Sequence, residues 1–537
     1  MSPTSADQAK QWLRRVISFG GEQVRAAPAP VERLVRQAFH ALPDGSEAKR
    51  RVRRILTGHS ARRETTSAFG GYLSLADAGS TYSKAEQATY LQLELGHLKR
   101  SLYDQPLPPW PATGFEDQDA AAAPGRVEEY LGRVSQAYGA PEASTARVRH
   151  LVIVNQYPRE GDEYGNGFVH RRVKYYLEAG IEVHVAVVAP DVEPESTVYD
   201  GVPVLVGRGA EVRELLQRIG YTSASSHFLN AFIWEQVRDS LAGIRWFTFM
   251  HGFESRRWVR TIRNYRSPEP LSNGIKDTLI RQRFWREVLA HPNGPERFVF
   301  VSRWWRRGSQ DDMELVYPAQ RTAVVHNVTD TQLFTYHPKD AEQRYKILWV
   351  RSAANLNYAP DLAVKALQAL RETRYWPQLS IRIIGDGMHF QGFEDAFAED
   401  GNVQVERRFA SQDEIARLHR DYGVFLVPSR WDSQGVSRDE AMASGLVPVT
   451  NAVCAIPEFV DGSSAVIAGP EDVAGMVRGM IRLFEHPELF QRMSEAAAQR
   501  VARQSGPEQT VRREMVLMGL TPGDVGPGDA TEGEDGS

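Results

Sequence analysis

The stretch YGVFLVPSRWDSQGVSRDEAMASGLVPVT, residues 422–450, decides the fold. YGVFLVPS is a nearly continuous apolar run, which suits a strand covered on both faces. EAMASG has the composition of a helix start, and LVPVT is a second short strand. RWDSQGVS is then the loop from strand to helix. In open α/β sheets, ligands bind at loops of this kind, outside the carboxyl ends of the strands.

The same alternation extends in both directions. RHLVIV, IEVHVAVVAP, VPVLVG, RWFTFM, RFVFVS and TAVVHNV are strand-like runs from Arg149 onward; KILWV, LSIRIIG, VQVERR and AVIAG complete a second series. Apolar strands alternating with helices imply parallel sheets with both faces covered. The chain therefore reads as α/β, with two Rossmann-like doubly wound domains facing across a cleft, residues 148–340 and 341–518. Upstream, AKQWLRRVI, VERLVRQAF, EQATYLQLELGHLKRSL and GRVEEYLGRVSQAY carry helical spacing between Pro- and Gly-rich breakers, which predicts a helical N-terminal extension over 1–147. The acidic, Gly/Pro-rich end, 519–537, is expected to be disordered.

The 537 residues are 42% hydrophobic and 25% charged, enough for sizeable cores, and the net charge of −4 argues against a nucleic-acid partner. A single cysteine, Cys454, excludes an intramolecular disulfide and reads as a small buried hydrophobe. No Cys/His cluster has zinc-ligand spacing, and no apolar run approaches the roughly 20 residues that span a bilayer. The expectation is a cytoplasmic protein without a metal or a resident cofactor.

Within the 431–450 loop and helix, two readings of Glu440 compete. Ser437 and Glu440 form Ser-x-x-Glu, a capping-box pattern in which the carboxylate only satisfies a backbone N–H. Alternatively, the first helical N–H groups bind a diphosphate that Gly435 lets approach, while Asp432 and Glu440 accept hydrogen bonds from sugar hydroxyls on either side. A ligand of that shape is a nucleotide sugar.

Asp432, seven intervening residues, Glu440 and then AMASGLVPV resemble the Glu-x7-Glu segment of family-4 retaining glycosyltransferases, which have the GT-B fold. YGNGFVHRRVKYYLEAGIEVHVAV, HNVTDTQLF, ILWVRSAANLNYAPDLAVKAL, IIGDG and IPEFVDGSSAVIAG fall in the matching order, over roughly residues 149–515. The resemblance implies transfer of a sugar from a nucleoside diphosphate sugar to a hydroxyl of a saccharide or lipid-linked acceptor, with retention and no metal, in polysaccharide or glycoconjugate synthesis. It assigns Glu440 to the nucleotide ribose, Asp432 to the donor sugar, and the backbone of Gly435, Val436 and Ser437 to the diphosphate. Arg351 becomes the phosphate-binding arginine, with a surface ion pair as its plainer reading. Where many relatives carry a lysine this chain has Asn357, followed by Tyr358; Arg438 or Arg303 are the cations that could compensate. His251, in MHGFESRRW, becomes a contact to acceptor or donor, and Gly165 and Gly167 an acceptor-side loop, although a structural histidine and an ordinary turn explain them equally simply.

KRRVRRILTGHSARR, residues 49–63, holds seven basic residues and no acidic one. It could contact anionic lipid at the inner membrane face, or form a solvated helix face. Two other functions fit the same architecture: a nucleotide-sugar epimerase or hydrolase, and a catalytically silent scaffold.

Overall fold

The computed structural model describes residues 122–139, 148–160, 165–265 and 268–520. The basic segment 49–63, most of the expected helical extension and nearly all of the acidic tail lie outside them.

Among the described residues, eight strands form the first sheet: β1 Arg149–Val154, β2 Glu182–Val188, β3 Glu195–Tyr199, β4 Val202–Gly207, β5 Ser223–His227, β6 Arg245–Met250, β7 Arg297–Phe300 and β8 Thr322–Val324. Their spatial order is β3-β4-β2-β1-β5-β6-β7-β8, parallel throughout except for the β3/β4 pair at one edge. Six more form the second: β9 Lys346–Val350, β10 Ser380–Gly385, β11 Val403–Arg407, β12 Val424–Leu426, β13 Val447–Asn451 and β14 Val466–Ala468, in the order β11-β10-β9-β12-β13-β14 and all parallel.

Alternation along the central strands feeds two cores per sheet. On β1, Leu151 and Ile153 pack with Trp246 and Trp285 on one face, while Val152 and Val154 pack with Phe247 and Phe249 on the other. Each such side chain contributes about 1.5–3 kcal/mol relative to exposure, so neither face can be left to solvent.

Strand order reverses once in each sheet. β1 has β2 on one side and β5 on the other; β9 lies between β10 and β12. At such a reversal the following loops diverge and leave a crevice. In the second sheet these are the loops after β9 and β12, the segments that carry Arg351 and Asp432.

Two helices at the ends of the described residues pack on the first sheet. The helix Arg126–Tyr138 buries Val127, Tyr130 and Val134 in the first unit's core, and the Tyr130 hydroxyl accepts from the Val185 N–H at 3.2 Å. The last helix, Val511–Met518, crosses back from the second unit: Val511, Met518 and Leu520 join Val152 and Val173 in one cluster. Its Glu514 is fully buried, accepting from Arg172 Nε at 3.0 Å and from the Tyr176 hydroxyl at 2.7 Å. Residues 511–518 thus pack with the core of the first unit.

Candidate functional site

The loop after β12 reaches the helix Val436–Ala443 through Gly435, whose φ of +101° lies in the left-handed region where a side chain is strained. A Cβ there would also stand 2.8 Å from Arg438 Nη1. Gly435 is the N-cap residue and no side chain caps the helix. Ser437 therefore sits inside the helix and the capping-box reading of Glu440 falls. What remains is an uncapped helix start with partial positive charge, facing the switch-point crevice.

Across that crevice, Arg351 Nη2 donates to Asp432 Oδ2 at 3.1 Å, and its Nη1 donates to Ser429 Oγ (2.9 Å) and Pro428 O (3.1 Å). The guanidinium stacks on Tyr358, 4.1 Å from the ring centroid. Arg351 is no surface ion pair, since its side chain is only 5% exposed. The Gly-Asp-Gly turn after β10 backs this loop, with the Ala353 N–H donating to Asp386 O at 2.7 Å.

Asn357 is used for assembly. Its Oδ1 accepts from Asn264 Nδ2 of the first unit at 3.0 Å, and its carbonyl accepts from the N–H groups of Arg430 (2.7 Å) and Trp431 (3.2 Å). Of the two compensating cations considered, Arg438 is buried against Asp439, with Nε 3.0 Å from Oδ1. Arg303 is exposed, and it is its backbone N–H that donates to Glu458, at 2.9 Å.

Glu440 points between the units. Its Oε1 accepts from Arg171 Nη1 at 2.7 Å, and Arg171 Nη2 donates to Gln412 Oε1 at 2.6 Å. The two side chains are 13% and 7% exposed. Burial pushes the Glu440 carboxyl above its ordinary pKa, and the nearby Arg171 charge opposes that rise. Arg171 rides on the helix Gly167–Glu178, which begins at the predicted glycine loop. Gly167 is its first residue, and Asn166 folds back to Asn155 Oδ1 (3.1 Å) and Gln156 O (2.9 Å). Gly165 packs against Gln156, where a Cβ would meet Nε2 at 2.8 Å.

On the first unit's side, His251 follows β6 and is 8% exposed. Its Nε2 lies 3.0 Å from Nδ1 of the buried His227, and the rings stack at 5.2 Å. Burial holds both imidazoles well below their ordinary pKa, so both are neutral near pH 7 and one donates to the other. The His251 carbonyl accepts from Ser433 Oγ of the second unit at 2.5 Å. Next to it, Gly252 has φ +126°, and a Cβ there would stand 2.6 Å from the Trp431 ring. Trp431 itself packs against the first unit's core, edge-on to Trp305 at 5.6 Å. The loop is braced by buried Glu254, whose two oxygens accept from the N–H groups of His251 (3.1 Å) and Gly252 (2.7 Å).

Arg351, Asp432 and Asn357 thus meet in the loops at the switch-point crevice, and Gly435, Val436, Ser437 and Glu440 follow on the helix that the second loop leads into. His251 and the Gly165/Gly167 helix close it from the opposite unit. Arg171, Gln412, His227 and Glu254 were not anticipated. Only Arg171 left a trace in the sequence, as a cation on the helix that follows the glycine loop.

Residues 336–500 match the family model described as "Glycosyl transferases group 1". Glycogen synthase of Mycobacterium tuberculosis is 30% identical over 143 residues, 26% of this chain and 34% of that protein. The chain spans about a third of the length of the glycogen synthases it matches. Among solved structures, sucrose-phosphate synthase from Thermosynechococcus elongatus superposes with a TM-score of 0.55 at 15% identity, over 70% of this chain and 99% of that one. Anabaena HepE in complex with UDP superposes with a TM-score of 0.50 at 12% identity, over 70% of this chain and all (100%) of that one. The two parallel-sheet units therefore have the GT-B architecture.

Proposed function

We propose that the chain is a retaining glycosyltransferase that moves a sugar from a nucleoside diphosphate sugar to an acceptor hydroxyl, in polysaccharide or glycoconjugate synthesis. One observation carries the reading: the buried Arg351 pairs with Asp432 on the switch-point loops of the second sheet, and the loop of Asp432 leads into the uncapped helix that bears Glu440. The group 1 match over that unit supports it, as does the likeness of its fold to a structure solved with UDP.

In this reading the N–H groups at Gly435, Val436 and Ser437 hold the diphosphate, and Glu440 accepts from the ribose hydroxyls. Asp432 accepts from the donor sugar, and Asn357 closes the donor side. Arg351 neutralises the charge that develops on the diphosphate as the bond to the anomeric carbon breaks. The acceptor oxygen forms the new bond on the same face, and its proton passes to a diphosphate oxygen. Neutral His251 donates to a hydroxyl of donor or acceptor near the reacting carbon, and Gly165 and Gly167 shape the acceptor side. No metal or resident cofactor enters the scheme. A few charge-assisted hydrogen bonds of about 1.5–3 kcal/mol each give micromolar donor affinity.

Ligand-observed NMR on the full chain with UDP-, GDP- and ADP-sugars tests the reading. Saturation transfer to one nucleotide, lost in Glu440→Ala, is the expected result. No transfer to any nucleotide from folded protein would sink it in favour of a silent scaffold. Free or isomerised sugar formed without acceptor would replace it with a hydrolase or an epimerase.

A further inference from the structure

The residue after Gly252 is Phe253, a large aromatic that is 56% exposed in a loop otherwise mostly buried. Two guanidinium groups lie over its ring, Arg256 at 4.9 Å and Arg281 at 5.4 Å from the centroid. Arg256 also lies 4.9 Å from the Trp431 ring, so it is held between an aromatic of each unit. Arg281 Nη1 donates to the Arg256 carbonyl at 3.0 Å, which keeps the two cations side by side.

Neither cation has a carboxylate partner among the described residues. Glu254 is within electrostatic reach of Arg281, but its oxygens are engaged by the backbone of His251 and Gly252. Asp312 is within reach of Arg256, but it accepts from Arg260 Nε and from the Arg257 N–H. Burial and the neighbouring Arg281 charge pull the Arg256 pKa down to about 10. Adjacent, partly desolvated positive charges of this kind are relieved by an anion. The 56% exposed Phe253 beside them offers apolar surface that suits the C–H groups of a sugar ring.

We propose that Phe253, Arg256 and Arg281 form a subsite for a negatively charged saccharide, with the sugar ring on Phe253 and its phosphate or carboxylate between the two guanidinium groups. Gly252 packs on Trp431 and Ser433, so this platform stands on the first unit, against the loop that carries Asp432. That position makes the ligand the acceptor rather than the donor, a designation that rests on the reading above. The anion subsite stands on its own geometry.

The test uses the full chain with glucose 6-phosphate, glucuronate, glucose and inorganic phosphate as probes, followed by saturation transfer and by phosphorus line width, with and without UDP. Saturation transfer to glucose 6-phosphate or glucuronate, absent for glucose and undiminished by UDP, is expected. The phosphate-bearing and carboxylate-bearing probes separate the two anions. Arg281→Gln should weaken binding about tenfold, the loss of one charge-assisted contact. Phe253→Leu should reduce transfer to the sugar protons while phosphorus broadening persists. Equal signals for glucose and glucose 6-phosphate, or binding unchanged in Arg281→Gln, would overturn the subsite. Displacement of the probe by UDP would overturn its assignment to the acceptor. Binding of glucose 6-phosphate by a chain that binds no nucleotide would leave the subsite standing and remove only the glycosyltransferase reading.

Discussion

Glu440 of the second unit and Arg171 of the first are joined across the cleft by a 2.7 Å ion pair that is almost wholly buried. The carboxylate assigned to the ribose is therefore already held, and a nucleotide must share or displace Arg171. Removing one member of a buried pair strands the other charge, at a cost of about 3 kcal/mol. Arg171→Gln should lower stability by that order at neutral pH. Burial already raises the Glu440 pKa, and losing Arg171 raises it further. A raised carboxyl pKa penalises the ionised form, so the deficit should shrink as pH falls through the folded-state value. Urea unfolding of Arg171→Gln and of Arg171→Gln/Glu440→Gln at two pH values checks this, with the double variant expected to have lost the pH dependence.

Glu254 provides a second pH effect, from a different cause. Burial raises its pKa from 4.5 to about 7, against the lowering effect of the N–H groups it accepts from. Its contribution to stability is full below about pH 4.5 and is lost as pH rises through 7. A shift of that size corresponds to about 3 kcal/mol. Thermal unfolding between pH 5 and 8 should show this decline in the wild type and a flatter curve in Glu254→Gln.

Much of this architecture was legible in the sequence because it rests on local pattern. Leu151 and Ile153 alternate with Val152 and Val154 because the two faces of β1 meet different cores. Asp432 was recognisable in the loop past a strand end, and Arg351 through the family resemblance of its segment. The capping-box alternative for Ser437-x-x-Glu440 falls because the left-handed Gly435 starts the helix early and carries Glu440 past the first turn. The return of Val511–Met518 to the first sheet left no sign, since an amphipathic helix reads the same whichever sheet it covers. Nor could spacing reveal that Trp431 packs on the opposite unit. Partners so far apart along the chain are set by tertiary packing alone.

That packing makes Trp431 a link between the units. It meets Trp305 edge-on and closes over Gly252, in a loop that also donates Ser433 Oγ to the His251 carbonyl. Trp431→Ala should cost about 3 kcal/mol, from lost burial and the cavity left behind. It should also separate the melting of the two units. Differential scanning calorimetry would reveal this as one transition splitting into two; a single transition shifted only in temperature would mean that other contacts couple the units.

Arg351 offers the sharpest test of the chemistry. Its charge is fixed by Asp432, Ser429 and the Tyr358 ring before any ligand arrives, so in the proposed transfer no reorganisation would be needed as a diphosphate departs. Removing one preorganised group of this type costs about two to three orders of magnitude in turnover. Arg351→Ala should therefore lose about that much kcat with whichever donor binds, while Arg351→Lys, which keeps the charge but not the planar fork, should recover only part of it. Because Asp432 would be left buried without its partner, Arg351→Ala/Asp432→Asn should fold more stably than Arg351→Ala and yet remain as inactive. Single-turnover kinetics and urea melts on the same three proteins separate the two effects. Recovery of turnover in the double variant would show that Arg351 serves only to neutralise Asp432.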